Sequence, residues 1–356
     1  MMKTTTVAHS EETLSAVNHR TVLRENNLAL CTLLYAQLLT MSALSLLSIA
    51  STSAYLSALL SILPSALLYG LSSLCARKRA YQLPRALAML FALLFFSDMA
   101  LCLLSLTELI CAYVLPQTTR LFIALPTALL TGLALTGKKR GSARRTAAFL
   151  ALFFLAALVI CLMFALPEGN RGHLYPLLGY GGGQTLRGAV YMAGGAWSAG
   201  ALPFFTQGES NPALKKRRPY ILPLTAMLLL SLLLFFYAYL LPAPLLPGDW
   251  GFVLRLQLIM EMSPNTLSWS LMLISRMLLF LTAFSVSGDT ACECLHTALK
   301  KKKAPILLFM LLSVPISLLP LDKMLPLLTL LLPLRFALCL LWIIPLLFVR
   351  KKEEKA

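Results

Sequence analysis

Four ionisable side chains fall inside long apolar runs: Asp98 and Glu108 in one run, Arg276 in a second and Arg335 in a third. A charge at the centre of a membrane helix costs about 2.5–3.5 kcal/mol on insertion scales. Each such group is therefore expected to face the interior of a bundle, where it pairs with another charge or lines a ligand path. A second kind of chemistry is offered by "GAVYMAGGAWSAGALPFF" (188–205), which places Gly194 and Gly195 near the middle of an apolar run. Glycine is a poorer helix former than alanine by roughly 1 kcal/mol. One reading is close helix packing, in which small residues let backbones approach. The sharper reading is a discontinuous helix, whose freed backbone N–H groups and half-helix dipole attract a carboxylate. On that reading Gly194, Gly195, Trp197 and Ser198 bind ligand, joined by Gln37, Thr40 and Ser42 of the first run.

Other chemistry is missing. "GYGGGQ" (179–184) follows no strand and lacks a trailing Gly-Lys-Ser/Thr, so it is not read as a phosphate loop. His173 stands without a sequence partner. Cys292-x-Cys294 has His296 close by, yet a zinc site needs four ligands, so no metal and no cofactor is expected. The eight cysteines lie in or beside apolar runs and form no disulfide framework. No Ser/His/Asp order, clustered carboxylates or His-x-x-x-His pattern supports an enzyme.

The elements that must position these groups follow from composition. Of 356 residues, 58% are hydrophobic and 13% charged. A soluble protein of this size could not cover itself with so little polar surface. Runs of about 20 residues, each able to cross ~30 Å of hydrocarbon, recur along the chain. Ten spans are expected, at 28–49, 53–76, 86–114, 120–136, 146–166, 185–206, 219–241, 266–288, 304–319 and 325–349. The expected fold is all-α, a polytopic membrane protein with ten transmembrane helices in a five-plus-five inverted repeat. Its parts are a tail (1–27), a first repeat (28–166), an outer loop (167–184), a second repeat (185–349) and a tail (350–356). The polar first tail shows no signal peptide, so the first run is expected to act as an uncleaved insertion signal.

The net charge of +17 would suit nucleic acid, but its placement points elsewhere. "RKR" (77–79), "KKRGSARR" (138–145), "KKRR" (215–218), "KKKK" (300–303) and "RKK" (350–352) fall in alternate connections. Arg120, Arg171, Arg187, Arg255 and Lys323 fall in the others. This is the positive-inside pattern, with both termini cytoplasmic and anionic lipid contact as a by-product. No nucleic-acid partner is expected. Depth then pairs the buried charges. Asp98 is thirteen residues from Arg85, ~20 Å along a helix, and Arg276 is ~16 Å below Asn265, so the two meet within about one turn. Glu108 falls near the outer surface as a gate candidate. Arg335 reads as a group that holds helices together.

Several stretches carry a family resemblance. "TELICAYVLPQTT" (107–119), "LYPLLGYGGGQTLRGAVYMAG" (174–194), "LISRMLLFLTAF" (273–284) and the basic "RKKEEK" end occur in the order found in the B subunits of spore germinant receptors. The chain resembles this GerAB-type branch of the amino acid–polyamine–organocation transporter superfamily. The resemblance implies Glu108 as the third-span acid, Arg276 as the eighth-span basic residue, and the segment around Gly194, Gly195, Trp197 and Ser198 as the ligand-binding break. The family often has a glycine in the first span and a Phe-Pro-Phe-Gly-like run in the sixth. Here the first span has none, and "ALPFF" stands in the sixth. The resemblance implies a transporter-like germinant receptor subunit in the spore inner membrane. It would bind an amino-acid-like solute and assemble with a larger membrane subunit and a lipoprotein. The alternatives are a stand-alone proton-coupled amino acid permease and a structural membrane subunit with a decayed site.

Overall fold

The structure, a computed structural model, describes residues 53–78, 83–136, 169–175, 177–178, 181–195, 197–206, 266–299, 306–319 and 321–348, with isolated positions at 146–163 and 228–239. The first expected span, with Gln37, Thr40 and Ser42, lies outside the described residues. Within them every regular element is helical. Four helical stretches are long and apolar enough to cross a membrane: Tyr55–Ala76, Arg85–Cys111, Leu273–Leu299 and Leu330–Phe348. Arg120–Thr136 and Ile306–Ser317 are shorter apolar helices. The chain is an integral membrane protein.

The helices, in chain order, are α1 (Ala54–Leu60), α2 (Ile62–Lys78), α3 (Arg85–Tyr113), α4 (Arg120–Thr136), α5 (Gly182–Gly195), α6 (Ser198–Thr206), α7 (Thr266–Leu299), α8 (Ile306–Leu312), α9 (Val314–Ser317) and α10 (Leu321–Phe348). Their continuity follows from glycine and proline placement. The 29 residues of α3 contain neither, and it runs unbroken. Helices α1 and α2 meet at Ser61, where Pro64 has no N–H to return to the Leu60 carbonyl, while Ser61 N–H still donates to the Ser57 carbonyl at 3.0 Å and Ser65 N–H to the Ser61 carbonyl at 3.2 Å. The Ser61 hydroxyl also bonds back to the Ala58 carbonyl at 2.6 Å. Pro315 and Ser313 interrupt the ninth span in the same way, where Ser313 bonds back to the Met310 carbonyl at 2.6 Å.

Helix α3 is the centre of the bundle. Its apolar window is 72% buried, against 22% for the window of α10. Its most extensive contact is with α7. Phe91, Phe95, Met99 and Phe284 are fully buried in the core between them and Trp197. Helix α7 runs eleven residues past the expected end at 288. Gly288 and Asp289 do not stop it, because Ala291, Cys292 and Cys294 continue a buried face. The "GYGGGQ" run has a structural use: Gly181 adopts φ 112°, a left-handed conformation that glycine tolerates, and its carbonyl receives the N–H groups of Gln184 and Thr185 as α5 begins.

Candidate functional site

The sixth span is interrupted where the glycine pair stands. Helix α5 ends at Gly195 and α6 restarts at Ser198. Among the described residues, two three-residue turns lie at the gap: the Trp197 N–H donates to the Gly194 carbonyl at 3.4 Å, and the Gly200 N–H donates to the Trp197 carbonyl at 2.9 Å. The close-packing reading applies at Gly194. A Cβ built on Gly194 would overlap the backbone carbonyl of Leu332 in α10, so glycine is needed there for close approach. The interruption follows immediately after.

Trp197 occupies the gap and is fully buried. Its ring meets Phe95 edge-on, with centroids 4.8 Å apart, and lies 6.0 Å from Phe91. A buried indole N–H needs an acceptor. Here Trp197 Nε1 donates to Asp98 Oδ2 at 2.9 Å. Asp98 Oδ1 receives Arg335 NH1 at 2.6 Å, and Arg335 NH2 donates to Ser97 Oγ at 2.6 Å. Asp98 and Arg335 are both fully buried. One polar cluster therefore ties three elements: α3, the sixth-span break and α10.

The salt bridge corrects the expected pairing of Asp98 with Arg276. Among the described residues the ion pair of Asp98 is with Arg335. Depth could not choose between the two arginines. Helix α10 begins at Leu321, so Arg335 is fourteen residues in, ~21 Å, near the helix midpoint, as Asp98 is in α3. Facing direction decides, and Arg335 faces α3. Arg276 is buried in α7.

Glu108 sits ten residues beyond Asp98, near the C-terminal end of α3. It pairs with Arg120 at the start of α4 at 2.5 Å, with side chains 21% and 32% exposed. Arg120 also donates to the Leu319 carbonyl at 3.2 Å, drawing the end of the ninth span into the same corner. Glu108 and the break are thus separate places. Of the sixth-span residues named from sequence, Gly194, Gly195, Trp197 and Ser198 are all buried at the interruption.

Two features went unread in the sequence. Ser97 is one. The other is the serine face of the second span: Ser53, Ser57, Ser61 and Ser65 recur every fourth residue, the spacing of one helix face. All four are buried, as is Ser72. Ser57 donates to the Thr185 carbonyl at 2.8 Å, Ser53 and Thr185 share a hydroxyl contact at 2.9 Å, and Ser72 donates to the Gly200 carbonyl.

The sequence matches no family profile and no curated protein. The fold does match solved structures. A manganese transporter of Eremococcus coleocola, in complex with an aromatic bis-isothiourea substituted compound, superposes with a TM-score of 0.60 at 14% identity, covering 92% of this chain and 79% of that one. A mutant of the same transporter gives 0.58 at 16% identity, with the same coverage. Mhp1, a nucleobase-cation-symport-1 family transporter in a closed conformation with bromovinylhydantoin bound, gives 0.51 at 15% identity, covering 85% and 74%. The fold is that of the LeuT-type transporters.

Proposed function

We propose that the chain is the transporter-like subunit of a nutrient germinant receptor, built on ten spans in two inverted five-helix halves, with both termini cytoplasmic. In this reading it lies in the spore inner membrane and binds an amino-acid-like solute beside the sixth-span break. The observation that carries the reading is the interruption at 195–198 with Trp197 seated in it. The start of α6 presents backbone N–H groups and the positive end of a helix dipole to a solute carboxylate. Ser198 and, from the first span, Gln37, Thr40 and Ser42 supply the remaining polar contacts. Glu108 stands at the outer end as a gate residue, and Arg276 as a second buried cation. A larger membrane subunit and a lipoprotein are the expected partners. Manganese, named for one structural neighbour, is disfavoured as the ligand here, because among the described residues no three His, Cys, Asp or Glu side chains lie together to hold a metal ion, and each oxygen of Asp98 already accepts a hydrogen bond, from Arg335 or Trp197.

That same saturation favours a second reading, a structural subunit whose site has closed. Two measurements separate them. Purified protein in lipid nanodiscs should bind one radiolabelled amino acid of a standard panel, and Gly195→Leu should abolish binding while leaving protein level unchanged. Spores carrying Gly195→Leu should lose the response to that amino acid. Absence of binding by the unaltered protein, with a normal spore response in the variant, would leave the structural reading.

A further inference from the structure

The segment that leads into α5 is tied down at both ends. At one end the Asn170 N–H donates to the Tyr239 carbonyl at 3.1 Å. Gly169 lies so close to the Tyr239 ring that a Cβ would overlap it. The Asn170 side chain caps the turn Arg171–Leu174 by accepting the Gly172 N–H at 2.9 Å. At the other end the Gly181 N–H donates to the Leu178 carbonyl at 2.8 Å, a turn that brings residue 178 to the start of α5. The segment nevertheless carries apolar side chains on its surface. Tyr175, Leu177 and Leu178 are 65%, 49% and 54% exposed. Leu186 and Val190, one turn apart on α5, are exposed as well. Two exposed arginines accompany them, Arg171 in the capped turn and Arg187 in α5. Large apolar side chains clustered in this way mark a surface that something apolar covers.

Depth says what covers it. Trp197 bonds to Asp98, which lies close to the midpoint of the 29-residue α3. The 14 residues of α5 lead away from that level by ~20 Å. Half of a ~30 Å hydrocarbon core is ~15 Å, so an upright α5 begins ~5 Å beyond it, among the headgroups. Lipid already reaches the exposed face of α5, because this helix packs on two membrane-crossing stretches, Tyr55–Ala76 and Leu330–Phe348. The patch at 175–178 continues that face. Arg187 stands eight residues before Gly195, ~12 Å from mid-depth, where a long side chain still reaches the headgroups. We propose that residues 171–178 are an interfacial anchor. Tyr175, Leu177 and Leu178 sit at the boundary of acyl chains and headgroups, and Arg171 and Arg187 draw anionic headgroups to it. Tyrosine suits that layer, since its ring is apolar and its hydroxyl can face water. The anchor sets the depth at which α5 begins, and Ser53 and Ser57 pass that constraint to α1 through Thr185.

Photo-cross-linking of the full chain tests this without any solute, and so independently of the proposed function. Leu178 is replaced by the photoreactive p-benzoylphenylalanine, and the chain is reconstituted in vesicles of phosphatidylethanolamine and phosphatidylglycerol. The same replacement at Leu130, an exposed residue of the apolar helix α4, serves as the lipid-facing control. Irradiation should add the mass of a lipid at position 178 as it does at 130. A lipid adduct at 130 with none at 178 would overturn the proposal, because the patch would then face water. A cross-link from 178 to a second copy or to another protein in cell membranes would overturn it too, because a protein would be the cover. Among the lipids captured at 178, phosphatidylglycerol should be enriched several-fold over its share in the vesicles. Arg171→Gln combined with Arg187→Gln should return it to that share while lipid capture itself persists. Enrichment that is absent from the unaltered chain, or that survives both substitutions, would overturn the headgroup role of the arginines.

Discussion

Asp98 and Glu108 are carboxylates ten residues apart on one helix, and they meet opposite circumstances. Asp98 is at mid-bundle, fully buried, and bonded to an arginine 237 positions away and to an indole. Glu108 is near the helix end at the rim of the bundle, part exposed, and bonded to an arginine just across the following turn. The difference teaches how a helix bundle handles charge by depth. At the rim water shares the load, so a local partner suffices. At the centre no water substitutes, and each oxygen must find a protein donor, even from the far end of the chain. Asp98 accordingly draws three elements together, whereas Glu108 closes one corner.

The comparison breaks or holds first on Arg335. Arg335→Ala leaves Asp98 as an uncompensated buried charge, and removing one member of such a pair costs about 3–5 kcal/mol. Protein level and thermal stability in detergent should both fall sharply. Asp98→Ala combined with Arg335→Ala should recover part of the loss, which is the signature of direct coupling. The same cycle with Arg276→Ala should show much weaker coupling to Asp98. Equal coupling of both arginines would mean that the buried acid is shared rather than paired.

A smaller loss is expected at Gly194, which tests whether the surroundings of the buried pair can yield. A Cβ there would strike the Leu332 carbonyl, which belongs to a helix backbone and cannot rotate aside. Overpacking of this kind costs about 1–3 kcal/mol. Gly200→Ala makes the contrast, because its Cβ would lie 3.1 Å from the Leu68 side chain, which can shift. Thermal unfolding of the two variants should rank Gly194→Ala clearly below Gly200→Ala. The reverse order would mean that α5 and α10 can separate without penalty.

Much of the frame could be read from residue types. Spans expected at 86–114 and 120–136 are the helices Arg85–Tyr113 and Arg120–Thr136, because an apolar run bounded by Arg85, by Pro116 and Arg120, and by the basic cluster from Lys138 has little freedom in where it ends. The break at Gly194–Gly195 was legible too, since two adjacent glycines weaken a helix wherever they stand. The partner of Asp98 was not. Sequence position yields depth through the helical rise, but two arginines of similar depth differ only in direction, and direction depends on how whole helices rotate in the bundle. The helix boundaries at Ser61 and Ser313 were in principle visible from Pro64 and Pro315. They were hidden because an apolar run reads as one span whether or not a proline removes one of its backbone bonds.

The smallest effects belong to the rim, and they sharpen the comparison by their salt dependence. Glu108→Gln removes one charge from a pair that water already screens. Exposed pairs contribute about 0–1 kcal/mol, so the loss of stability should be slight. It should shrink further as salt rises from about 0.05 to 0.5 M, because the screening length falls below about 5 Å over that range. Arg120→Ala should cost more than Glu108→Gln, since Arg120 also holds the Leu319 carbonyl at the end of the ninth span. That second bond is to a neutral acceptor and is less sensitive to salt, so the Arg120→Ala loss should persist at high salt where the Glu108→Gln loss fades. Arg335→Ala should be insensitive to salt throughout, because no ions reach a fully buried pair. Thermal unfolding of the three variants at the two salt concentrations gives the whole ordering. If Glu108→Gln cost as much as Arg335→Ala and kept that cost in high salt, the rim pair would be acting as a buried one, and the division of charge by depth along α3 would fail.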